Sequence, residues 1–324
     1  MLITEDNNNY KRSIVEKNIS DLPENDVLIK VKYSSLNYKD ALSASGNKGV
    51  TKEYPHTPGI DAAGIVVDSK SNSFEKGQKV IVTGHDLGMN TSGGFQSYIR
   101  VPENWVVKLP KNLTLKESMI YGTAGFTAAL SVDKIVKSNL DKDSDKILVT
   151  GATGGVGSTA IRLLNNLGYN VVAATGKLEA KEMLKNIGAS EVIDRHKVDN
   201  NTKKPLLKSK WAGVVDTVGG NTLSTAIKTT KYSGHITTCG NVAGHKFDAS
   251  VYPFILRGVT LHGIDSVECS KDLRKEIWNN LANDWKTETL KDTIEEISLE
   301  DVSSKIDQML ESNLKGRVII NLSI

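Results

Sequence analysis

Between Ile147 and Ala160 the chain reads ILVTGATGGVGSTA, an apolar run, a glycine-rich turn and the opening of a helical pattern. Ala152, Gly154 and Gly157 stand at A-x-G-x-x-G spacing, and Gly151 adds one more flexible joint. Glycine at such positions lets backbone approach a pyrophosphate, while the following helix N-terminus offers free N–H donors and partial positive charge. The stretch Thr153, Gly154, Gly155, Val156 and Gly157 is therefore expected to hold a diphosphate. A glycine-rich turn alone is a weak signal, but a strand before it and a second strand after the helix strengthen it. That second strand, NVVAAT, runs into Thr175, Gly176 and Lys177. NAD favours an acidic residue there for its ribose hydroxyl, whereas a 2′-phosphate is repelled by an acid and attracted by a cation. Thr175 can donate a hydroxyl hydrogen bond and Lys177 supplies charge, so the pocket suits NADPH. The competing reading of Lys177 is a solvated charge at the start of a helix.

These residues need a parallel sheet to position them. From KILVTG onward, strand and helix patterns alternate through STAIRLLNNLG, NVVAAT, EAKEMLKNIG, SEVID, AGVVDTV, NTLSTAIKTTK and HITTCG. In the first helix Ala160, Leu163, Leu164 and Leu167 recur at i, i+3, i+4, i+7, and Gly168 is a natural stop. Alternation of this kind implies helices on both faces of a parallel sheet. The first third has another texture: DVLIKVKYSS alternates Val27, Ile29, Val31 and Tyr33 with lysines, and further short strands follow up to Pro110. Thr114 followed by Glu117 is a capping-box signature for a helix start. A β-rich domain built from residues 1–118 and 261–324, interrupted by a dinucleotide-type domain at 119–260, is the expected α/β organisation.

Composition narrows the function classes. The 324 residues carry 41 basic and 38 acidic side chains, a balance that gives no reason to expect nucleic acid. The opening MLITEDNNNYKR lacks an apolar signal core and no window is apolar enough to span a bilayer, so a soluble, cytoplasmic protein without membrane partners is expected. Only Cys239 and Cys269 are present, and the six histidines are dispersed, so the thiolate and imidazole spacings of zinc sites are missing. His56 is expected to pack beside Pro55 and Pro58 rather than to bind metal.

The segments YSSLNYKDALSASG, YPHTPGIDAAGIVV, GATGGVGSTA, AATGK, WAGVVDTVGG, PFILRGVTLHGIDSV and LKGR together resemble the medium-chain dehydrogenase/reductase superfamily. Within it they are similar to the YhdH/YhfP-type quinone oxidoreductases, a group that includes NADPH-dependent acryloyl-CoA reductase. The resemblance implies a GroES-like catalytic domain, a Rossmann domain, NADPH bound in the cleft between the two, no zinc, and a homodimer. Zinc-dependent relatives place a Cys in the segment matching NYKD and a His-Glu pair after the position of Gly59; this chain has Asn37, and Ile60 with Asp61. The resemblance puts Tyr38 beside the cofactor as the catalytic candidate. Whether it also donates a proton stays open, because an ordinary tyrosine hydroxyl titrates near about 10, and a half-buried aromatic at a strand end is the plainer alternative. Asn37 could donate to a substrate carbonyl or serve a turn. By family position Arg195 would meet the adenosine phosphate, an ordinary surface charge being the equal alternative, and Ile264 and Ser312 line the nicotinamide end, though many relatives have an amide-bearing residue at Ser312. Asn241 and Val242 follow the HITTCG strand at its C-terminal end, where such sheets bind ligands. Thr127 faces the cleft or only eases helix packing; Cys239 is expected in the core and Asp216 is expected to be structural.

Without a metal or strong acid to hold a developing oxyanion, a conjugated acceptor that spreads the incoming charge is the natural substrate. The leading expectation is reduction of acryloyl-CoA to propanoyl-CoA with NADPH, followed by quinone reduction and by a non-catalytic NADPH-binding redox sensor. Lys39, Lys48, Lys52 and Arg257 are candidates for CoA phosphates, and VTLHGID for an edge strand that pairs with its copy.

Overall fold

A computed structural model describes residues 1–138, 140–142, 145–287 and 294–323. The chain forms two compact units, one from Met1–Thr123, Val267–Ala282 and Thr289–Ile324, the other from Ala124–Ser266 and Asn283–Glu288.

The first unit opens with strands β1 (Leu2–Asp6) and β2 (Asn9–Ser13), joined by Asn7 and Asn8 at φ 49° and 64°. Asparagine tolerates that left-handed backbone better than other side chains. Next come β3 (Val27–Ser35), α1 (Tyr38–Ala44), β4 (Asp61–Ser69), β5 (Lys79–Thr83), β6 (Tyr98–Val101) and β7 (Val106–Lys108). Helix α2 (Leu115–Val136) starts at the Thr114–Glu117 capping box, whose reciprocal bonds measure 2.8 and 3.1 Å. It breaks at Gly122 (φ 51°, ψ −158°), and the division between the units follows Thr123.

The second unit contains β8 (Lys146–Val149), α3 (Gly155–Asn166), β9 (Asn170–Thr175), α4 (Lys181–Asn186), β10 (Glu191–Asp194), β11 (Trp211–Asp216), α5 (Gly220–Thr229), β12 (Thr230–Thr238), α6 (Tyr252–Arg257) and β13 (Thr260–Gly263). The chain then returns to the first unit as α7 (Lys271–Ala282), β14 (Ile294–Ile297), α8 (Val302–Leu310) and β15 (Arg317–Asn321).

In the first unit the main sheet runs β14-β15-β3-β4-β5-β7, with β6 also paired to β3. Its core is the inward half of the alternating strands: Val27, Ile29 and Val31 of β3 pack with Ala62, Val66, Val80, Val82 and Ile99. The second unit is a six-stranded parallel sheet in the order β10-β9-β8-β11-β12-β13, the doubly wound Rossmann arrangement. The strand order reverses between β8 and β11, and ligands bind such sheets at the strands' C-terminal ends near that point. β13 is the last strand of this order, paired only through β12 among the described residues.

Candidate functional site

The glycine-rich turn sits between β8 and α3. Gly151 has φ 58°, and the Ala152 N–H donates to Ala174 O at 3.2 Å, tying the turn to β9. A Cβ on Gly157 would stand 2.4 Å from Gly151 O and 2.9 Å from Ala152 Cα, so only glycine lets α3 begin this close to the strand turn. Gly154 differs. A Cβ there would meet nothing nearer than Gly151 O at 3.4 Å, so the protein's own packing does not demand glycine. Gly154 is exposed and caps α3 without a side-chain hydrogen bond, leaving the helix's first N–H groups with no side-chain acceptor at the cap. Space that a side chain would fill, bounded by free donors, fits a diphosphate.

At the end of β9, buried Thr175 accepts the Lys177 N–H on its Oγ1 at 3.0 Å, an ST turn that leaves its hydroxyl hydrogen to donate. Thr175 lies opposite Asp194 in the β9–β10 register, and Asp194 turns its carboxylate onto the His196 N–H at 2.8 Å. Arg195 folds over exposed Gly176, so that a Cβ on Gly176 would be 3.0 Å from Arg195 Cδ and Nε. The geometry thus brings Thr175, Gly176, Lys177 and Arg195 to one corner. A side chain at Gly176 would press on the Arg195 side chain.

Asn241 and Val242 lie exposed in the turn after β12, Val242 at 83%. Ile264 follows β13 and donates its N–H to Thr238 O at 3.0 Å. Cradle, corner and these residues therefore share the C-terminal edge of the sheet. Asp216 stitches that edge together. Its carboxylate accepts Thr150 Oγ1 (2.8 Å) from beside β8, Thr238 Oγ1 (3.1 Å) from β12, and the Gly219 N–H (3.0 Å), while burial pushes its pKa up. Cys239 places Sγ 3.6 Å from Asp216 O; burial and the Asp216 charge push its thiol up to about 12. Thr127 is buried within α2.

Two further site candidates belong to the first unit. Tyr38 is the first residue of α1 and 55% exposed; Ser312 is exposed beyond α8 with φ 60°. Beside Tyr38, Asn37 is buried and engaged. Its Nδ2 donates to Ser35 O (3.2 Å) and Asp61 Oδ2 (2.7 Å), and its Oδ1 accepts Arg317 Nη1 (3.2 Å). Both amide hydrogens are in use, so the option of Asn37 as donor to a substrate carbonyl is withdrawn. Asp40 is also buried and accepts N–H groups of Asn37 (2.8 Å), Gly59 (3.1 Å) and Ile60 (2.8 Å). Desolvation and the neighbouring Asp61 charge push its pKa up to about 7 against the pull of those three donors. Asp40, Asp61 and Arg317 carry no role in the sequence reading. The available signal was polar residues, Ser34, Ser35 and Asn37, in buried positions at the end of an alternating strand.

Two of the candidate phosphate ligands are otherwise occupied. Lys48 pairs with Glu5 at 2.7 Å and lies 4.7 Å from the centre of the Tyr54 ring, and Arg257 donates to the carbonyls of Leu207, Lys228 and Thr230. His56 is buried with Nε2 2.9 Å from Gly88 O, and desolvation lowers its pKa.

Two family models match the chain: the alcohol dehydrogenase GroES-like domain over residues 23–111 and the zinc-binding dehydrogenase over residues 155–283. A putative quinone oxidoreductase of Bacillus subtilis, YhfP, is 47% identical across 96% of this chain and 95% of its own. Its structure with NAD bound superposes with a TM-score of 0.96 at 44% identity, covering 99% of this chain and 98% of that one. A probable acrylyl-CoA reductase of Escherichia coli, AcuI, is 40% identical across 94% of this chain and 93% of its own. The yhdH oxidoreductase of Salmonella enterica in complex with NADP gives a TM-score of 0.95 at 36% identity, covering 99% of each chain. Zinc, named in one family description, does not fit the residues present. Asp61 is already bonded to Ser35, Asn37 and Thr123 beside the buried Arg317 charge, and no cluster of three His, Cys, Asp or Glu occurs among the described residues. The chain belongs to the medium-chain dehydrogenase/reductase superfamily, in its zinc-free group of YhdH/YhfP-type quinone oxidoreductases and acryloyl-CoA reductases.

Proposed function

We propose that this chain reduces an activated carbon–carbon double bond with NADPH, acryloyl-CoA to propanoyl-CoA being the favoured reaction. The observation that carries the cofactor choice is the corner at the end of β9, where Arg195 lies over Gly176 beside Thr175 and Lys177 and no acidic side chain ends the strand. The name of the AcuI relative supports the acceptor. In this reading the backbone of Thr153, Gly154, Gly155, Val156 and Gly157 takes the diphosphate, and Lys177 and Arg195 take the 2′-phosphate with Thr175 donating. Asn241, Val242, Ile264 and Ser312 serve the nicotinamide end, and Tyr38 is the catalytic residue. Bound NADPH supplies a hydride for the acceptor's β-carbon. Exposed Tyr38 is available to hydrogen-bond the thioester oxygen, and its hydroxyl is a candidate source of the proton at the α-carbon.

A quinone acceptor is the second reading, favoured by the name of YhfP, and the NAD bound to that relative makes NADH the alternative cofactor. One assay ranks them all. NADPH and NADH are each mixed with acryloyl-CoA or a benzoquinone, and the absorbance of the reduced nicotinamide is followed. Oxidation of NADPH by acryloyl-CoA, faster than with NADH, is expected; no oxidation with any activated acceptor would leave only a binding protein. We also assign a homodimer built on the free edge of β13, because Val251, Tyr252, Ile255 and Leu256 of the neighbouring α6 segment are exposed apolar residues. Size in solution tests that assignment.

A further inference from the structure

Four stretches distant in sequence meet at one buried carboxylate in the first unit. Asp61 accepts hydrogen bonds from Ser35 Oγ (2.5 Å), Asn37 Nδ2 (2.7 Å), the Thr123 N–H (2.8 Å) and Thr123 Oγ1 (2.6 Å). Arg317, buried at the start of β15, donates to Ser35 Oγ (2.9 Å), Leu36 O (3.4 Å), Asn37 Oδ1 (3.2 Å) and Ile120 O (3.0 Å). Gly122 passes over this cluster without a side chain: a Cβ there would be 2.4 Å from Ser35 Oγ and 2.6 Å from both Arg317 Nη2 and Asp61 Oδ2. So the backbone between Ile120 and Thr123, the end of β3, the start of β4 and the start of β15 are locked by one carboxylate and one guanidinium.

What this arrangement holds is the entry into α1. Asn37 is gripped on both sides of its amide, and the residue after it is Tyr38. More than half of the Tyr38 side chain is exposed, so packing does little to fix its direction, and the backbone that carries it must. Satisfied polar networks in low-dielectric surroundings are stiff, because each bond polarises the next and none has a competing water. We infer that Asp61 is a positioning residue for the reaction: acting through Asn37, with Arg317 as its counter-charge, it holds Tyr38 in reacting orientation. The inference rests on the assignment of Tyr38 as the catalytic residue. In this account hydrogen bonds around Asp61 and Asn37 do the mechanical work of holding the site.

Asp61→Asn leaves Arg317 buried without its counter-charge and risks the fold, so the decisive variant is milder. Thr123→Val keeps the shape of the side chain and removes one donor to Asp61, while Thr123→Ser retains that donor. Thr123→Val is expected to raise hydrogen exchange of amides in the first turn of α1. It is also expected to lower kcat about tenfold, a modest share of the hundredfold that a misplacement of about 1 Å can cost. KM for NADPH should stay as in the wild type, and Thr123→Ser should restore both readouts. In a Tyr38→Phe background Thr123→Val should cost little more, since both changes act through one hydroxyl. Losses that multiply in the double variant, or exchange in α1 that does not change, would overturn the inference. If the wild-type chain reduces no acceptor, the proposed function fails by itself, and the exchange measurement still decides whether the cluster holds Tyr38.

Discussion

The proposed phosphate cradle of the second unit and the carboxylate–guanidinium cluster of the first are built to hold charge in place by opposite means. The cradle works by leaving things out. Its proposed donors are backbone N–H groups, its room comes from missing side chains, and the Gly151–Gly157 turn is a single continuous stretch. The cluster works by filling every valence. Ser35, Asn37, Asp61, Thr123 and Arg317 come from separate segments, and the bond between Arg317 and Ser35 spans 282 residues of sequence. A cradle tolerates the loss of one donor because solvent and neighbouring N–H groups remain. A closed buried network does not, because whatever is left behind has no water to turn to.

That contrast can be broken most forcefully at Arg317. Arg317→Leu strands Asp61 in the core and is expected to cost about 3–5 kcal/mol of stability, read from chemical denaturation. The double variant Arg317→Leu, Asp61→Leu should recover part of the loss; a double variant less stable than the single one would mean that the pair is not the organising element. In the cradle, Gly157→Ala drives a Cβ against Gly151 O and should cost about 1–3 kcal/mol. Gly154→Ala, with no neighbour nearer than 3.4 Å, should leave the melting temperature unchanged and weaken nucleotide binding. Equal stability losses at the two glycines would remove the distinction between packing glycine and ligand glycine. Lys177→Glu should weaken NADPH binding by about tenfold, or about 1.4 kcal/mol, with NADH binding unaffected, as titration calorimetry would show.

A last test is a pH slope. Burial raises the Asp40 carboxyl from the ordinary 3.8 to about 7, so the folded state binds more protons than the unfolded chain between those values. Stability is then highest in this respect below 3.8, declines as pH rises through that window, and has lost the contribution above about 7. Asp40→Asn should flatten that part of the slope in denaturation curves taken across the window, at some loss of baseline stability from the Asn37 N–H it no longer serves.

The same contrast explains what could be read from residues alone. The cradle and the parallel sheet were legible because their signals are local: glycine spacing, a run of Ala and Leu at helical intervals, strand and helix in alternation. The position of Lys177 was legible for the same reason, since it stands two residues from the strand's last threonine. Arg195 was named by family position, but its place over Gly176 needed the pairing of β9 with β10. Lys48 and Arg257 showed their charge in the sequence but not their partners, and each turned out to be anchored to its own unit. Of the cluster only its polar strand end, Ser34, Ser35 and Asn37, stood out in the sequence. Asp61 begins an apolar strand, and nothing near it announces the arginine that neutralises it.

The thiol of Cys239 has a consequence for any chemistry at the edge of the parallel sheet. Enoyl thioesters and quinones are soft electrophiles that alkylate thiolates, and Cys239 stands two residues before Asn241 in the turn proposed to meet the cofactor. With its acidity suppressed to about 12, that sulfur stays protonated under physiological conditions and is a poor nucleophile. A catalyst of such acceptors would in this way be spared covalent self-poisoning at the one cysteine closest in sequence to its proposed working end.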